Sequence, residues 1–212
     1  MRTLNIIVLT LLLAACATER PQTIVGGKQP WPVAQIKPNQ PPTSNPVGFN
    51  KTLTLQGISF HVTCPNNSSL NRLSIRPGGL EVDNAPMDRE IDGSVTGAEV
   101  ADLDADGSPE LYIYVNSVGS GSYGSLVAYA ANKRKSLSEI YLPPIDEDKK
   151  ASQGYMGHDE FAVVENRLVR RFPLYRDGDS NVSPRGGTRQ LQYKLAPGET
   201  GWILKLDRTV DY

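Results

Sequence analysis

The chain has 212 residues, of which 39% are hydrophobic and 21% are charged, and its formal net charge at pH 7 is −1. This length suits one domain that is large enough to bury a core of its own. A near-zero charge, without Lys and Arg clustered among aromatic residues, argues against nucleic acid as a partner. The short run Lys133-Arg134-Lys135 is therefore interpreted as a solvated turn.

The N-terminus has the order of charge, apolar core and small residues that is typical of an export signal. Arg2 is followed by an apolar run over residues 6–13, and then by Ala14, Ala15 and Cys16. The run is shorter than the roughly 20 residues of a bilayer-spanning helix, and no later segment is comparably apolar. The sequence therefore predicts a signal peptide over residues 1–15 and no membrane-spanning segment in the mature protein.

Leu13-Ala14-Ala15-Cys16 resembles the bacterial lipobox. The resemblance implies that the Cys16 sulfur is diacylated and that the peptide bond before it is cut, and acyl chains of this number make a lasting membrane anchor. Ala17 stands where an Asp would retain a lipoprotein at the inner membrane, so we expect a periplasmic protein anchored to the outer membrane. The alternative is a soluble secreted protein with an unrelated cysteine, since small residues at the cleavage site are common.

Residues 16–50 form a proline-rich stretch with Gln, Asn, Thr and Ser between the prolines. This composition predicts an extended tether between the lipid and a folded part that begins near Lys51. With Cys16 lipidated, Cys64 is the only thiol left, so no internal disulfide is expected. His61 lies three residues before Cys64 and therefore on the opposite face of a strand, which favours a buried cysteine over a catalytic one.

Beyond Lys51, short alternating runs are separated by Gly, Asn, Asp and Pro, and no long segment has helical periodicity. The runs predicted as strands are residues 52–55, 58–62, 73–75, 111–115, 126–129, 161–164, 168–172, 190–195 and 202–206. We predict an all-β fold over residues 51–212, a single antiparallel β-sandwich or barrel-like domain of roughly eight strands after the signal peptide and the tether.

An acidic segment precedes the strongest pair of predicted strands. Asp102, Asp104 and Asp106 alternate along it, followed by a glycine and by Glu110. Carboxylates that alternate around a tight turn can aim three or four oxygens at one point, as calcium requires. The segment resembles the half-loops of EF-hands and of integrin-type propeller blades, although Ile113 stands where the EF-hand has its last Glu. Two hypotheses stay open: a calcium site, or a turn whose Asp side chains accept backbone hydrogen bonds.

Residues 117–125 join the two strongest predicted strands and contain three glycines and four serines. This loop is longer than the favoured two-residue hairpin turn, and it carries one large aromatic residue, Tyr123. Binding residues tend to lie on loops that a rigid scaffold positions, and tyrosine anchors contacts at low entropic cost. Composition alone is equally consistent with a flexible hairpin end whose Tyr123 lies against its own sheet.

Ser120-Gly121-Ser122-Tyr123 resembles the Ser-Gly-x-Tyr loop of the periplasmic inhibitors of invertebrate-type (i-type) lysozymes. Residues 102–129, 154–163 and 186–193 are similar to that family too, and the similarity covers most of the chain after about residue 51. The lipobox and the tether depart from the family, whose members are soluble periplasmic proteins. The resemblance implies a lysozyme-binding protein and a homodimer.

A lysozyme cleft presents carboxylic residues on either side of the bond to be cut. The resemblance implies that Ser120 and Tyr123 enter this cleft on a loop whose tight path Gly121 permits. A hydroxyl and a phenol could donate hydrogen bonds to those carboxyl groups while the ring fills the sugar site. The predicted function is inhibition of host i-type lysozyme, which protects peptidoglycan. The rival hypothesis is a calcium-stabilised surface binding or adhesion module.

Residues 154–160 are the other candidate for chemistry, because His158 is followed by two carboxylic residues. General acid–base catalysis is poorly supported, since the chain has only two histidines and lacks G-x-S-x-G and H-E-x-x-H segments. We predict that this segment is a second contact loop or a turn that leads into a strand. No catalytic residue and no enzyme activity are predicted.

Overall fold

A computed structural model describes residues 48–212 of the chain. The predicted signal peptide, Cys16 and nearly all of the predicted tether lie outside these residues. The strands are β1 Phe49–Leu55, β2 Ile58–Cys64, β3 Leu70–Gly78, β4 Met87–Asp92, β5 Ser94–Ala101, β6 Glu110–Asn116, β7 Gly124–Asn132, β8 Ser136–Tyr141, β9 Glu160–Val164, β10 Arg167–Pro173, β11 Thr188–Pro197 and β12 Trp202–Asp211, with a 3-10 turn at Ile145–Glu147. Within the described part, no helix is long and apolar enough to cross a bilayer.

The predicted all-β class is confirmed. Strands β1 to β4 form a four-stranded sheet in that order, and the other eight form a second sheet in the order β5-β6-β7-β8-β12-β11-β10-β9. The second sheet curls until its two end strands approach each other. There the amide of Val163 on β9 donates a hydrogen bond to the Glu99 carboxylate on β5 over 2.7 Å. This contact bridges the two edges of a nearly closed, barrel-like sheet.

Residues 48–212 form twelve strands, more than the roughly eight expected from the sequence pattern. Strands β4, β5 and β8 escaped prediction because none has apolar residues at regularly alternating positions. On β4 only Ile91 is buried, and on β8 only Ile140. On β5 the register shifts between Val95 and Gly97, which interrupts the alternation. One pairing, β8 with β12, is parallel, whereas the sequence pattern suggested antiparallel pairs throughout.

Strand β6 is the centre of the domain, because both of its faces are buried. One face contributes Leu111, Ile113 and Val115 to the cluster shared with the four-stranded sheet. The other face contributes Tyr112 and Tyr114 to the cluster inside the barrel. Burial of this apolar area is the main stabilising contribution to such a fold. The acidic turn precedes β6 and the Ser120–Tyr123 loop follows it, so the two lie at opposite ends of one buried strand.

The prediction for Cys64 is confirmed. Ile58, Phe60, Val62 and Cys64 are buried on one face of β2, as alternation along a strand requires. Cys64 is a free, buried thiol. His61 lies on the other face, where its Nε2 is 2.9 Å from Asn50 Oδ1.

Candidate functional site

The loop that connects β6 to β7 is closed by its own hydrogen bonds. The Ser117 amide donates to the Tyr123 carbonyl over 3.0 Å, and the Ser122 amide donates to the Gly119 carbonyl over 3.0 Å. The Ser117 hydroxyl accepts from the Tyr123 amide, also over 3.0 Å. Ser120 is exposed at the tip of the loop. The loop is therefore a hydrogen-bonded turn, as a scaffold for a binding side chain requires.

Two distant segments hold this loop from outside. The amide of His158 donates to the Gly121 carbonyl over 2.7 Å, and the Asn181 side-chain amide donates to the Ser120 carbonyl. Gly157 has a φ of +89°, and a Cβ there would collide with the Gly121 carbonyl. Glycine is the residue that tolerates both this backbone conformation and this close approach. The predicted contact loop 154–160 thus contacts the Ser120–Tyr123 loop and leads into β9.

Gly121 has a second role, which concerns the tyrosine two residues later. The Tyr123 ring lies directly against the Gly121 backbone, so a Cβ at position 121 would collide with it. The ring also packs edge-on against Tyr155, with 5.8 Å between centroids, and Tyr155 packs in the same manner on Phe172 at 4.8 Å. Tyr123 remains 50% exposed. One part of its ring is thus fixed by the protein, while the rest is open to a partner.

A buried ion pair lies beneath the loop. Arg170 Nε is 2.6 Å from Asp159 Oδ1, and the two side chains are only 6% and 0% exposed. The other oxygen of Asp159 accepts hydrogen bonds from the Gly124 amide over 2.7 Å and from the Tyr155 hydroxyl over 2.6 Å. Arg170 also donates to the Tyr155 oxygen over 2.8 Å. This network joins the wall of the barrel, on β10, to the start of β7, where the loop ends.

The charges in this network are fixed by its surroundings. Burial alone would lower the pKa of Arg170, but the hydrogen bond and the negative charge of Asp159 together raise it. Burial also raises the pKa of the Tyr155 phenol above its ordinary value. Arg170 is therefore a cation and Tyr155 a neutral phenol at every pH at which the protein would function.

His158 lies beside the loop but contacts no carboxylate in the described residues. Its Nε2 is 3.1 Å from Asn181 Oδ1, and its ring stacks on Tyr175 with 6.4 Å between centroids. Asp159, its neighbour in sequence, points to Arg170 instead. This arrangement positions Asn181, which donates a hydrogen bond to the Ser120 carbonyl of the loop.

In the acidic turn at the start of β6, Asp side chains accept hydrogen bonds from the backbone amides of the turn itself. Asp102 accepts hydrogen bonds from the amides of Asp106 and Gly107, each over 3.0 Å. Asp106 in turn accepts from the Ser108 amide over 2.7 Å. Gln56 also donates to Asp102 over 2.7 Å. These are the bonds expected of an acidic turn without a metal.

The same turn also brings four carboxylates together. One oxygen each from Asp102, Asp104, Asp106 and Glu110 lies within 4.8 Å of the others. Glu110 is only 2% exposed, and the amide of Leu103 donates to it over 2.8 Å. Burial raises the pKa of Glu110 to about 8, and the nearby Asp charges add to this shift. These four carboxylates could hold a cation, and their hard oxygen donors are compatible with calcium.

A groove of about 1160 Å³ lies beside the loop, between β7 and β12. Where it lies, β8 pairs with β12 at two residues only and ends at Tyr141. Leu126, Arg170, Trp202 and Lys205 are among the residues that line the groove. The sequence pattern did not predict this groove, since β8 itself was missed.

Sequence reasoning missed Arg170 and Asn181. Tyr155 and Asp159 lie within the predicted segment 154–160, but their hydrogen bonds beneath the loop were not predicted. One signal was present for Arg170, because it occupies an inward position between Leu168 and Phe172 on an alternating strand. A charged residue at a core position indicates a buried partner. The predicted residues Ser120, Gly121 and Tyr123 lie together at one end of β6, and the four acidic residues lie together at the other.

Compared with protein-family models, with curated proteins and with solved structures, the chain matches none. The geometry of its own residues and the resemblance of its loop are the grounds on which a function can be proposed. Of the two ends of β6, the Ser120–Tyr123 loop has the half-exposed aromatic ring, and the acidic turn has the four carboxylates that could hold a cation.

Proposed function

We propose that this chain inhibits host i-type lysozymes by inserting the Ser120–Tyr123 loop into the active-site cleft of the enzyme. The observation that carries the proposal is that Tyr123 is half-exposed on a loop that two other segments hold by hydrogen bonds. The resemblance of Ser120-Gly121-Ser122-Tyr123 to the loop of known inhibitors supports the same partner. The consequence would be protection of peptidoglycan.

The chemistry suits a cleft that is lined by carboxylic residues. The Ser120 hydroxyl and the Tyr123 phenol can donate hydrogen bonds to those residues, and such bonds are stronger when the acceptor is ionised. Because the loop is already ordered by hydrogen bonds, little conformational entropy is lost on binding. An inhibitor of this kind needs no reactive group, since it blocks the cleft sterically.

We also propose that the protein works from a lipid anchor at Cys16, on the periplasmic face of the outer membrane. The lipobox supports this location, and the proline-rich tether would let the domain reach lysozyme above the lipid surface. Replacement of Cys16 by Ala should shift the protein from the membrane fraction to soluble or uncleaved forms. An unmodified mature N-terminus in the unaltered protein, detected by mass spectrometry, would contradict lipidation.

The test of the proposed function is an inhibition assay with the detergent-solubilised protein. We expect inhibition of an i-type lysozyme, and we expect the double substitution Ser120→Ala with Tyr123→Ala to abolish most of it. Melting temperature serves as the control for folding, because an exposed loop buries little area in the free protein. If the unaltered protein inhibits no lysozyme, the proposed function is wrong.

A second candidate function is a calcium-stabilised binding or adhesion module. The observation that favours it is the burial of Glu110 beside three other carboxylates, where a cation would offset the cost of ionisation. Asp102, Asp104, Asp106 and Glu110 would be the ligands. Calcium would raise the melting temperature by mass action, and a chelator would lower it. If millimolar calcium does not change the melting temperature, this cluster does not bind calcium and serves only to form the hydrogen-bonded turn.

A further inference from the structure

Three segments meet at the end of β6, and together we name them the contact surface: residues 117–123, 154–158 and 175–185. The loop belongs to the first segment, and hydrogen bonds from His158 and from Asn181 join the other two to it. The Tyr175 hydroxyl donates to the Asn181 carbonyl over 2.9 Å. The three segments are therefore one continuous piece of surface, although they are far apart in the sequence.

Each segment of the contact surface exposes large apolar side chains. These are Val118 and Tyr123 from the first segment, Met156 from the second and Val182 from the third, the last being 92% exposed. The other exposed large hydrophobic side chains of residues 48–212 lie on separate segments: Leu70, Val82, Tyr141 and Tyr212. Single exposed apolar residues are ordinary on a protein surface, whereas several on adjoining segments indicate an interaction site.

Val182 lies in a turn that is stabilised by hydrogen bonds within the turn itself. The Asp179 carboxylate accepts hydrogen bonds from the amides of Arg176, over 2.9 Å, and Arg185, over 2.8 Å, and from the Arg185 side chain. These backbone hydrogen bonds lower the pKa of Asp179 to about 2. The turn is thus fixed at both ends of the segment that carries Val182, so exposure of this side chain is a property of an ordered turn.

We propose that Met156 and Val182 contact the same lysozyme that receives Tyr123, at the rim of its cleft, and that they determine which lysozymes are bound well. This inference rests on the proposed function, because insertion of the loop brings the rest of the contact surface against the enzyme. Interfaces typically surround a few strong anchors with contacts that exclude water from them. Met156 precedes Gly157, which lies against the Tyr123 ring, and Val182 follows Asn181, which bonds the Ser120 carbonyl.

A second copy of this chain is a less suitable occupant for the contact surface. Self-association through it would cover Ser120 and Tyr123, which are exposed in the described structure. An inhibitor that dimerised in this way would block its own loop. A lysozyme that already binds the loop would gain further contacts from these side chains without giving up those of Ser120 and Tyr123.

The experiment compares aspartate substitutions at matched positions. Val182→Asp and Met156→Asp place an unpaired charge in the proposed interface, so each should raise the inhibition constant against an i-type lysozyme at least about tenfold. Val82→Asp is the control, because Val82 is also a highly exposed valine, at 73%, but lies on the loop between β3 and β4. We expect no change in its inhibition constant, and no change in the melting temperature of any of the three.

Two further measurements separate the outcomes. If Tyr123→Ala weakens inhibition while Val182→Asp and Met156→Asp behave like Val82→Asp, this inference is wrong and the proposed function stands. If the unaltered protein inhibits no lysozyme, both are wrong. Light scattering reports the oligomeric state, and a dimer that dissociates in Val182→Asp with unchanged inhibition would mean that the contact surface joins two copies, which also overturns the inference.

Discussion

The two ends of β6 carry the two candidate sites, and these sites are built in opposite ways. At the start of the strand, Asp102 and Asp106 accept hydrogen bonds mainly from amides a few residues away, so the acidic turn is assembled by its own segment. At the end of the strand, the loop is held by His158 and Asn181, which come from distant parts of the chain. The acidic turn is therefore held mainly by local hydrogen bonds, with Gln56 as its distant partner, whereas the loop depends on the folded barrel.

This difference predicts different sensitivities. The acidic turn holds four carboxylates close together, so its stability should respond to protons and cations. The loop holds no such cluster, and its shape should respond to substitutions beneath it and within it.

The largest effect is expected at Glu110. Its pKa in the folded protein is about 8, above the ordinary value of 4.5, so the folded state binds the proton more tightly than the unfolded state does. The resulting stabilisation is complete below pH 4.5 and is lost as the pH rises through 8. In chelator, we expect the free energy of unfolding to fall by roughly 4 kcal/mol between pH 5 and pH 8.

Urea denaturation at several pH values measures this loss. Glu110→Gln keeps the shape of the side chain without its titration, so most of the pH dependence should disappear in this variant. Calcium should restore stability at pH 8 in the unaltered protein, because the cation replaces the proton. An equally steep fall in Glu110→Gln would show that other groups cause the pH dependence.

The next effect concerns the ion pair beneath the loop. Asp159→Asn leaves the buried Arg170 cation without its counter-charge, and breaking a buried pair in this way typically costs about 3 kcal/mol or more. Asp88→Asn is the matched control, because Asp88 pairs with Arg72 on the surface and exposed pairs contribute little. Thermal or urea denaturation compares the two variants, and equal stability losses would contradict the role assigned to the buried pair.

These two ends also differ in how much of them the sequence could reveal. All four carboxylates of the acidic turn were predicted together, because alternation and a glycine are enough to bring them together. The support of the loop was not predicted, since Asp159 and Arg170 meet only after β9 and β10 pair and Tyr155 folds over them. The all-β class followed from alternating runs, and the strands that were missed are those whose alternation is broken or sparse.

Inhibition should depend strongly on Tyr123. Tyr123→Ala removes a half-exposed ring and a phenol, so we expect a loss of about 2 kcal/mol in binding, which is roughly a thirtyfold higher inhibition constant. Tyr123→Phe separates the two contributions, because it keeps the ring and deletes the hydroxyl. Melting temperature should change little in either variant. If Tyr123→Ala inhibits as well as the unaltered protein, Tyr123 is not the main contact, and residues 154–160 must be tested instead.

The smallest effect, and the sharpest comparison, concerns two glycines of the same loop. Gly121→Ala adds a methyl group that collides with the Tyr123 ring, so the ring must leave its position over the backbone. At Gly119 an added Cβ would have no atom within 4 Å, so Gly119→Ala serves as the matched control. Neither glycine has a positive φ, which means that backbone strain does not distinguish the two substitutions.

We therefore expect Gly121→Ala to raise the inhibition constant about tenfold, the equivalent of 1.4 kcal/mol, and Gly119→Ala to leave it unchanged. Both variants should melt at the temperature of the unaltered protein, because the loop buries little area. The reason for the difference is the orientation of Tyr123, since the ring remains present in both. If the two variants inhibit equally well, the ring position that Gly121 permits is not the one that the lysozyme cleft accepts.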